Sequence, residues 1–423
     1  MAYLVGGILI FAATLVVVMF RPYRIPEAVA ALAGAVGMLL GGYVSLHEAV
    51  QVLANEWNAY LFFLGLMGVS ALADRAGVFD ALALLAARWG GGNTRRLYLA
   101  IFLLGTVITA FLSNDATALI LTPVVYALVT RLRLPPLPFM FATTFIADTA
   151  SFLLPVSNPI NLLVLGNSVG LGLFLRALLL PSLCAIVINT TVFTLWFHRA
   201  LRLRYDLGSL NEAQSARSRA FVPTLIGLGL LGLGYVLAAL VRFPLGPVAL
   251  AGAALLMVIA LLTDTFDWNV LREGISWALF GFISGMFIVV RGVENLGLTA
   301  AFGNALLRLG GGAPLRTILV VASGTAIGAN LINNVPMALV MRAALASAHL
   351  DPTMVTTLHF ATVLGADLGP NLTTVGSLAT MLWVLLLRRQ GLDISTREYL
   401  TLGLTVVPAM LLVGALLLWI SLQ

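Results

Sequence analysis

The sequence predicts an all-α polytopic membrane protein made of two inverted-topology repeats, with about ten transmembrane helices, two re-entrant hairpins and two broken helices. Three observations predict it. The 423 residues are 61% hydrophobic and 9% charged. Apolar windows of spanning length, roughly 20 residues, recur along the whole chain; examples are 3–20, 26–44, 57–73, 177–197, 220–241, 245–263, 276–293 and 398–421. The second half also repeats the polar punctuation of the first. A membrane β-barrel is excluded because the runs are continuous and lack a period of two.

All 23 basic residues are Arg, clustered in short loops: Arg21 and Arg24; Arg88, Arg95 and Arg96; Arg131 and Arg133; Arg199, Arg202, Arg204, Arg217 and Arg219; Arg388 and Arg389. This is the positive-inside pattern. It accounts for the net charge of +6 without a nucleic-acid partner, the chain's surroundings being membrane lipid. The lone Cys184 excludes a disulfide framework and a cysteine metal cage, and nothing in the sequence calls for a cofactor or bound metal. The apolar run 3–20 has no basic residues before it and no clear cleavage site, so it reads as a retained helix.

In chain order, 3–20 runs inward to Arg21 and Arg24, 26–44 returns outward, and 57–73 comes back. Residues 76–88, with Asp80 and Arg88, fit a helix lying in the interface. Asp74 and Glu294 read as helix-end charges. Arg95 and Arg96 precede, and Arg131 and Arg133 follow, a stretch too short for two spans. It therefore reads as a re-entrant hairpin with Ser113-Asn114-Asp115 at its tip, irregular backbone that only protein or a cavity can surround at that depth. Segment 138–165 is broken by Pro155 and Pro159 amid Asp148, Ser151, Ser157, Asn158 and Asn161. Segment 177–197 leads to an Arg-rich linker. The domains are thus 1–198, a cytoplasmic linker 199–219, and 220–423, with both termini outside.

A shift of 220 pairs Trp57 with Trp277, Asp74 with Glu294, Arg88 with Arg308, and Gly90-Gly91-Gly92 with Gly310-Gly311-Gly312. A shift of 219 then pairs Asn114 with Asn333, Asp115 with Asn334, and Asp148 with Asp367. Each half has an odd number of crossings, so the second enters from the opposite side, and broken helices in matching places point to a transport site.

Four polar elements converge on the expected midplane. They are the two tips and the breaks Asp148–Asn161 and Asp367–Ser377. Candidate solute contacts are Ser113, Asn114, Asp115, Thr117, Ser157, Asn158, Asn161, Asn333, Asn334, Asn371, Thr373 and Ser377, whose donors and acceptors can replace hydration. Asp148, Asp367 and Asp115 are the candidate proton carriers, since ionisable residues inside a membrane are costly and by default functional. Blander roles compete with these. Asp115 could cap the following helix, Asn114 and Asn333 could hold the tips, and Asp148 and Asp367 could form a buried lock between halves. His359 reads as a packing residue, and Arg342 as a neutraliser for one of the Asp residues.

Ser113-Asn114-Asp115-x-Thr117-Ala118-Leu119-Ile120-Leu121-Thr122-Pro123, Phe145-Ile146-Ala147-Asp148-Thr149-Ala150-Ser151, Ser157-Asn158, Asn333-Asn334-x-Pro336, Asp367-Leu368-Gly369-Pro370 and Gly376-Ser377-Leu378-Ala379-Thr380 resemble the ArsB-type arsenite/antimonite efflux permeases of the ion transporter superfamily. The likeness spans essentially the whole chain. It implies export of trivalent arsenic and antimony from the cytoplasm across the inner membrane, driven by proton entry or assisted by a cytoplasmic arsenite-stimulated ATPase. Sodium–dicarboxylate members of the superfamily carry Ser-Asn-Thr at the tips. Asp115 and Asn334 stand in the third place here and suit proton coupling instead.

Arsenite near neutral pH is mainly an uncharged trihydroxide, a solute suited to an Asn/Ser/Thr pocket, and its concentrative export needs a coupled ion. A carboxylate removed from water is the natural proton carrier. Three other readings stand beside this one: a sodium-coupled carboxylate transporter, a passive channel, which uphill transport would exclude, and an intramembrane hydrolase using Ser, His and Asp. The hydrolase has less behind it, because no Ser/His pair recurs in motif context and an enzyme has no need of a duplicated polar site.

Overall fold

A computed structural model describes residues 2–22, 25–166, 169–208, 218–348 and 350–423; Arg24, Arg217 and the stretch 209–217 of the expected linker lie outside the described residues. The first half holds α1 (Ala2–Phe20), α2 (Glu27–Leu40), α3 (Leu46–Asn55), α4 (Trp57–Arg75), α5 (Val78–Gly90), α6 (Thr94–Phe111), α7 (Thr122–Arg131), α8 (Pro136–Thr149), α9 (Pro159–Leu165) and α10 (Leu171–Trp196). The second holds α11 (Phe221–Leu240), α12 (Leu245–Leu262), α13 (Trp268–Gly274), α14 (Trp277–Asn295), α15 (Leu298–Gly310), α16 (Pro314–Ile332), α17 (Asn334–Ala346), α18 (Pro352–Leu368), α19 (Leu378–Arg389) and α20 (Thr396–Ser421). The order of long, short and broken elements recurs. The molecule is an all-α polytopic membrane protein with no β-strand among the described residues.

Eight helices are long and apolar enough to cross a membrane, or nine if α4 and α5 form one span. The α4–α5 junction bends by 63°, and Gly77 turns the chain there with φ +80°, as Gly297 (φ +74°) does between α14 and α15. A left-handed backbone of this kind favours glycine. Breaks fall where the sequence places its prolines and caps. Asn158 caps α9, with Pro159 in its first turn, and Ser377 caps α19. Proline at a first helical turn loses no hydrogen bond.

The two halves interlock by exchange: α4 packs on α12, and α14 on α2. Both crossings depend on a missing side chain. A Cβ on Gly65 would lie 2.3 Å from the Ala249 carbonyl carbon, and one on Gly285 would lie 2.4 Å from that of Ala31. Backbones approach this closely in membranes only across small residues, where dispersion replaces the hydrophobic effect. Around the centre, Phe145 stacks near Phe193 (4.7 Å between centroids) and Tyr399 (4.9 Å). These contacts lock α8 against α10 and α20.

Gly65→Val and Gly285→Val should each push a helix pair apart and cost about 1–3 kcal/mol or more. Gly77→Ala meets no neighbour within 4 Å and strains only its φ. Thermal unfolding in detergent checks this: the two valine variants should lose more stability than Gly77→Ala.

Candidate functional site

The tips are built by a change of chain direction. After α6 the chain passes Leu112 and Ser113, then winds as a π-helical turn, Ala116–Leu121, before α7. Pro123 explains that turn, because it lacks the N–H that an α-helix would donate to residue 119. Ser113 Oγ accepts from Ala116 N (3.1 Å). Asp115 makes no capping bond with its side chain. The reading of Asp115 as a simple cap is therefore not what the geometry shows; Ser113 does that work. In the second half Asn333, at φ +71°, caps α17 by accepting from Val335 N (3.3 Å).

Each tip docks on the broken helix of its own half. Asn114 N donates to the Ser157 carbonyl (3.1 Å), and Asn334 N to the Gly376 carbonyl (3.0 Å). These bonds align Ser113-Asn114 with Asn333-Asn334, a shift of 220, whereas the breaks keep the shift of 219. Asn114 thus corresponds to Asn334, not Asn333, and Asp115 corresponds to Val335. The one-residue difference falls between tip and break, and identity of the Asn residues hid it. Asp115 has no polar counterpart in the second half.

Across the centre the halves exchange hydrogen bonds to their aspartates. Asn158 Nδ2 donates to Asp367 Oδ1 (2.7 Å), and Thr380 Oγ1 donates to Asp148 Oδ2 (3.4 Å). Asn114 lies beside Asp148, which is within electrostatic range of Asp115 and Asp367. Asp367 Oδ2 has no hydrogen-bonding partner among the described residues; the nearby Ser151 hydroxyl is committed to the Asp148 carbonyl (2.8 Å). Both Asp148 and Asp367 are next to last in their helices, at the negative end of the helix dipole, where a proton or cation is the complementary partner. Asn371 Nδ2 bridges to Thr149 Oγ1 (3.2 Å) and the Phe145 carbonyl (3.4 Å), a third link between halves.

The remaining expected contacts serve local structure. Thr117 faces α6, with its hydroxyl 2.7 Å from that of Thr109. Asn161 Nδ2 donates to the carbonyls of Ser151 (2.8 Å) and Leu154 (3.3 Å). Thr373 donates to Asn330 Oδ1 (2.6 Å), Ser157 Oγ to the Ala110 carbonyl (3.2 Å), and Ser377 Oγ accepts from Thr380 N (3.1 Å). Sequence reasoning missed Thr380, although it stands in the quoted Gly376–Thr380 motif, one turn after a capping serine. It also missed Asn330, a polar residue in an otherwise apolar run three positions before a tip.

A cavity of about 440 Å³ reaches the first tip, lined by Ser70, Asp74, Ser113, Asp115, Glu273 and Ser276 among others. It lies toward the C-terminal end of α4. Asp74 therefore faces the cavity and is more than a helix-end charge. At the other end of α4, Arg342 of α17 ion-pairs with Glu56 and donates to the Leu163 carbonyl (2.7 Å). Arg342 thus pairs with a carboxylate outside the central trio. A second cavity, about 350 Å³, adjoins this pair and His359, whose Nε2 is buried without a partner among the described residues. The described residues contain no cluster of three or more His, Cys, Asp or Glu placed to hold a metal ion.

Comparison with known proteins gives this arrangement a family. The model of the family described as "Arsenical pump membrane protein" (ArsB) matches residues 6–422. The arsenical pump membrane protein of Escherichia coli (strain K12) is 32% identical over 411 residues, 96% of each chain. That of Yersinia enterocolitica is 31% identical over 411 residues, again 96% of each chain. Two solved transporters share the fold. The Alcanivorax borkumensis YdaH transporter has a TM-score of 0.61 at 17% identity, covering 88% of this chain and 86% of its own. The Neisseria gonorrhoeae efflux pump MtrF has a TM-score of 0.52 at 13% identity, covering 89% and 84%. The chain belongs to the arsenical pump membrane protein family.

Proposed function

We propose that the chain exports trivalent arsenite and antimonite from the cytoplasm in exchange for protons, by alternating access of two inverted repeats, 1–198 and 220–423, joined by the linker 199–219. Family membership makes it a multi-pass inner-membrane transporter of arsenicals rather than an enzyme. The observation that carries the finer reading is the grouping of Asp148 and Asp367 within electrostatic range of each other, and of Asp148 with Asp115, which itself lines the cavity together with Ser113. A proton on one of these carboxyl groups and the solute on the surrounding hydroxyls and amides would compete for one set of hydrogen bonds. Asp148 is the first choice for the carrier, with Asp115 and Asp367 close behind. A cytoplasmic ATPase partner remains compatible with this scheme and is not required by it.

The Arg clusters favour the α4 C-terminal end as the cytoplasmic side. The 440 Å³ cavity is then an inward-facing path, and the Glu56–Arg342 pair closes the outer one. The positions that correspond by a shift of 220, Ser276 and Thr122, carry no charge. Ser276 lines the open cavity, and Thr122 bonds Thr143 (2.9 Å). One face is thus latched and the other is not.

In everted vesicles, Asp148→Asn should abolish proton-driven arsenite accumulation while keeping arsenite counterflow. If Asp115→Asn, Asp148→Asn and Asp367→Asn all accumulate arsenite like the wild type, proton coupling does not run through these carboxylates. Accumulation that follows sodium instead of protons would favour the carboxylate-type carrier. Asn114→Ala removes an amide beside Asp148 and should raise the KM for arsenite about tenfold, roughly 1.4 kcal/mol.

Glu56→Gln should open the outer path. With Cys184→Ser as background, a cysteine at Leu162 beside the outer cavity should react several-fold faster with a membrane-impermeant maleimide. Unchanged labelling would show that the pair is not a latch.

A further inference from the structure

Ser70 occupies the cavity wall contributed by α4. It is 5% exposed and lines the same space as Ser113 and Asp115. Hydroxyls in apolar helices commonly bond back to the carbonyl one turn earlier. Thr106, Thr325 and Thr362 do so here, at 2.7–2.9 Å. Ser70 Oγ does not, and has no partner among the described residues. Nor is it part of the repeated scaffold, because the corresponding position of the second half holds buried Val290. A hydroxyl kept unpaired in a buried position, with a cavity beside it, is placed for a partner that comes from outside the protein.

The charges around that cavity define the partner's class. Asp74, Asp115 and Glu273 face it, with Arg75 the one basic side chain lining it among the described residues. Such a wall disfavours an oxyanion or a carboxylate and tolerates a neutral solute. A small trihydroxide can donate to the carboxylates and both donate to and accept from serine hydroxyls.

We infer that Ser70 is a direct substrate contact, the α4-side counterpart of Ser113, holding a small uncharged polyhydroxylated solute as it enters from the α4 C-terminal end. This deepens the transport reading above and rests on it. The contact would tie solute occupancy to α4, the helix that packs on α12, while the hairpin tip supplies the opposite wall.

Arsenite uptake kinetics in everted vesicles, with melting temperature of the purified protein, form the test. Ser70→Ala should raise the KM about three- to tenfold, with Vmax and melting temperature unchanged. Ser70→Thr, which keeps the hydroxyl, should stay within about twofold of the wild type. An unchanged KM in Ser70→Ala, or a loss of Vmax with a lowered melting temperature, would overturn the inference and leave Ser70 a packing residue. Wild-type vesicles that take up neither arsenite nor antimonite would instead defeat the transport reading itself.

Discussion

Two hydrogen bonds at the centre hold the rest of the structure to its plan: Asn158 to Asp367 at 2.7 Å and Thr380 to Asp148 at 3.4 Å. Each joins the break of one half, or the first turn of the helix after it, to an aspartate in the other. A carboxylate at the centre of a membrane helix costs roughly 2.5–3.5 kcal/mol on insertion scales, and hydrogen bonds to a charged group return about 1.5–3 kcal/mol each. The breaks are therefore required by the aspartates. Asn158 and Ser377 must cap new helices close to them, so that α9 and α19 begin where α8 and α18 stop. The tips follow in turn, because Ser157 and Gly376, in the same breaks, offer the carbonyls that receive Asn114 and Asn334.

Against this shared centre, the halves differ at a few polar positions. Asp115, Ser70 and Arg342 have no like residue at the corresponding positions, which hold Val335, Val290 and Thr122. The first two line the same cavity, and the third ion-pairs with Glu56 at the other end of α4. A symmetric scaffold can occupy two mirror-related states equally; charges present on one side alone bias it.

Much of this was legible in the sequence, for definite reasons. Glycine triplets, a Trp and aspartates in register mark the duplication because apolar residues between them can drift while caps and turns cannot. Prolines beside Asp148 and Asp367 mark the breaks, since a proline inside a span frees backbone groups that polar residues must satisfy. The register at the tips was not legible. Asn114 matches Asn333 by identity, but the backbone bond to the break decides the pairing, and that bond links residues 43 apart in one half and 42 in the other. The exchange between halves was equally hidden, because Asn158 and Asp367 are 209 positions apart. Ser70 was overlooked as one hydroxyl in an apolar run. Its spacing of four from Asp74, which puts both on one helix face, was the available signal.

If proton and solute compete for the same aspartates, as proposed, adding arsenite to purified protein in weakly buffered detergent solution should release protons as arsenite saturates its site, in proportion to occupancy, since the trihydroxide brings no ionised proton of its own. The release should be lost when Asp148, Asp115 and Asp367 are all replaced by Asn. Saturable arsenite binding with no proton release from the wild-type protein would contradict this competition.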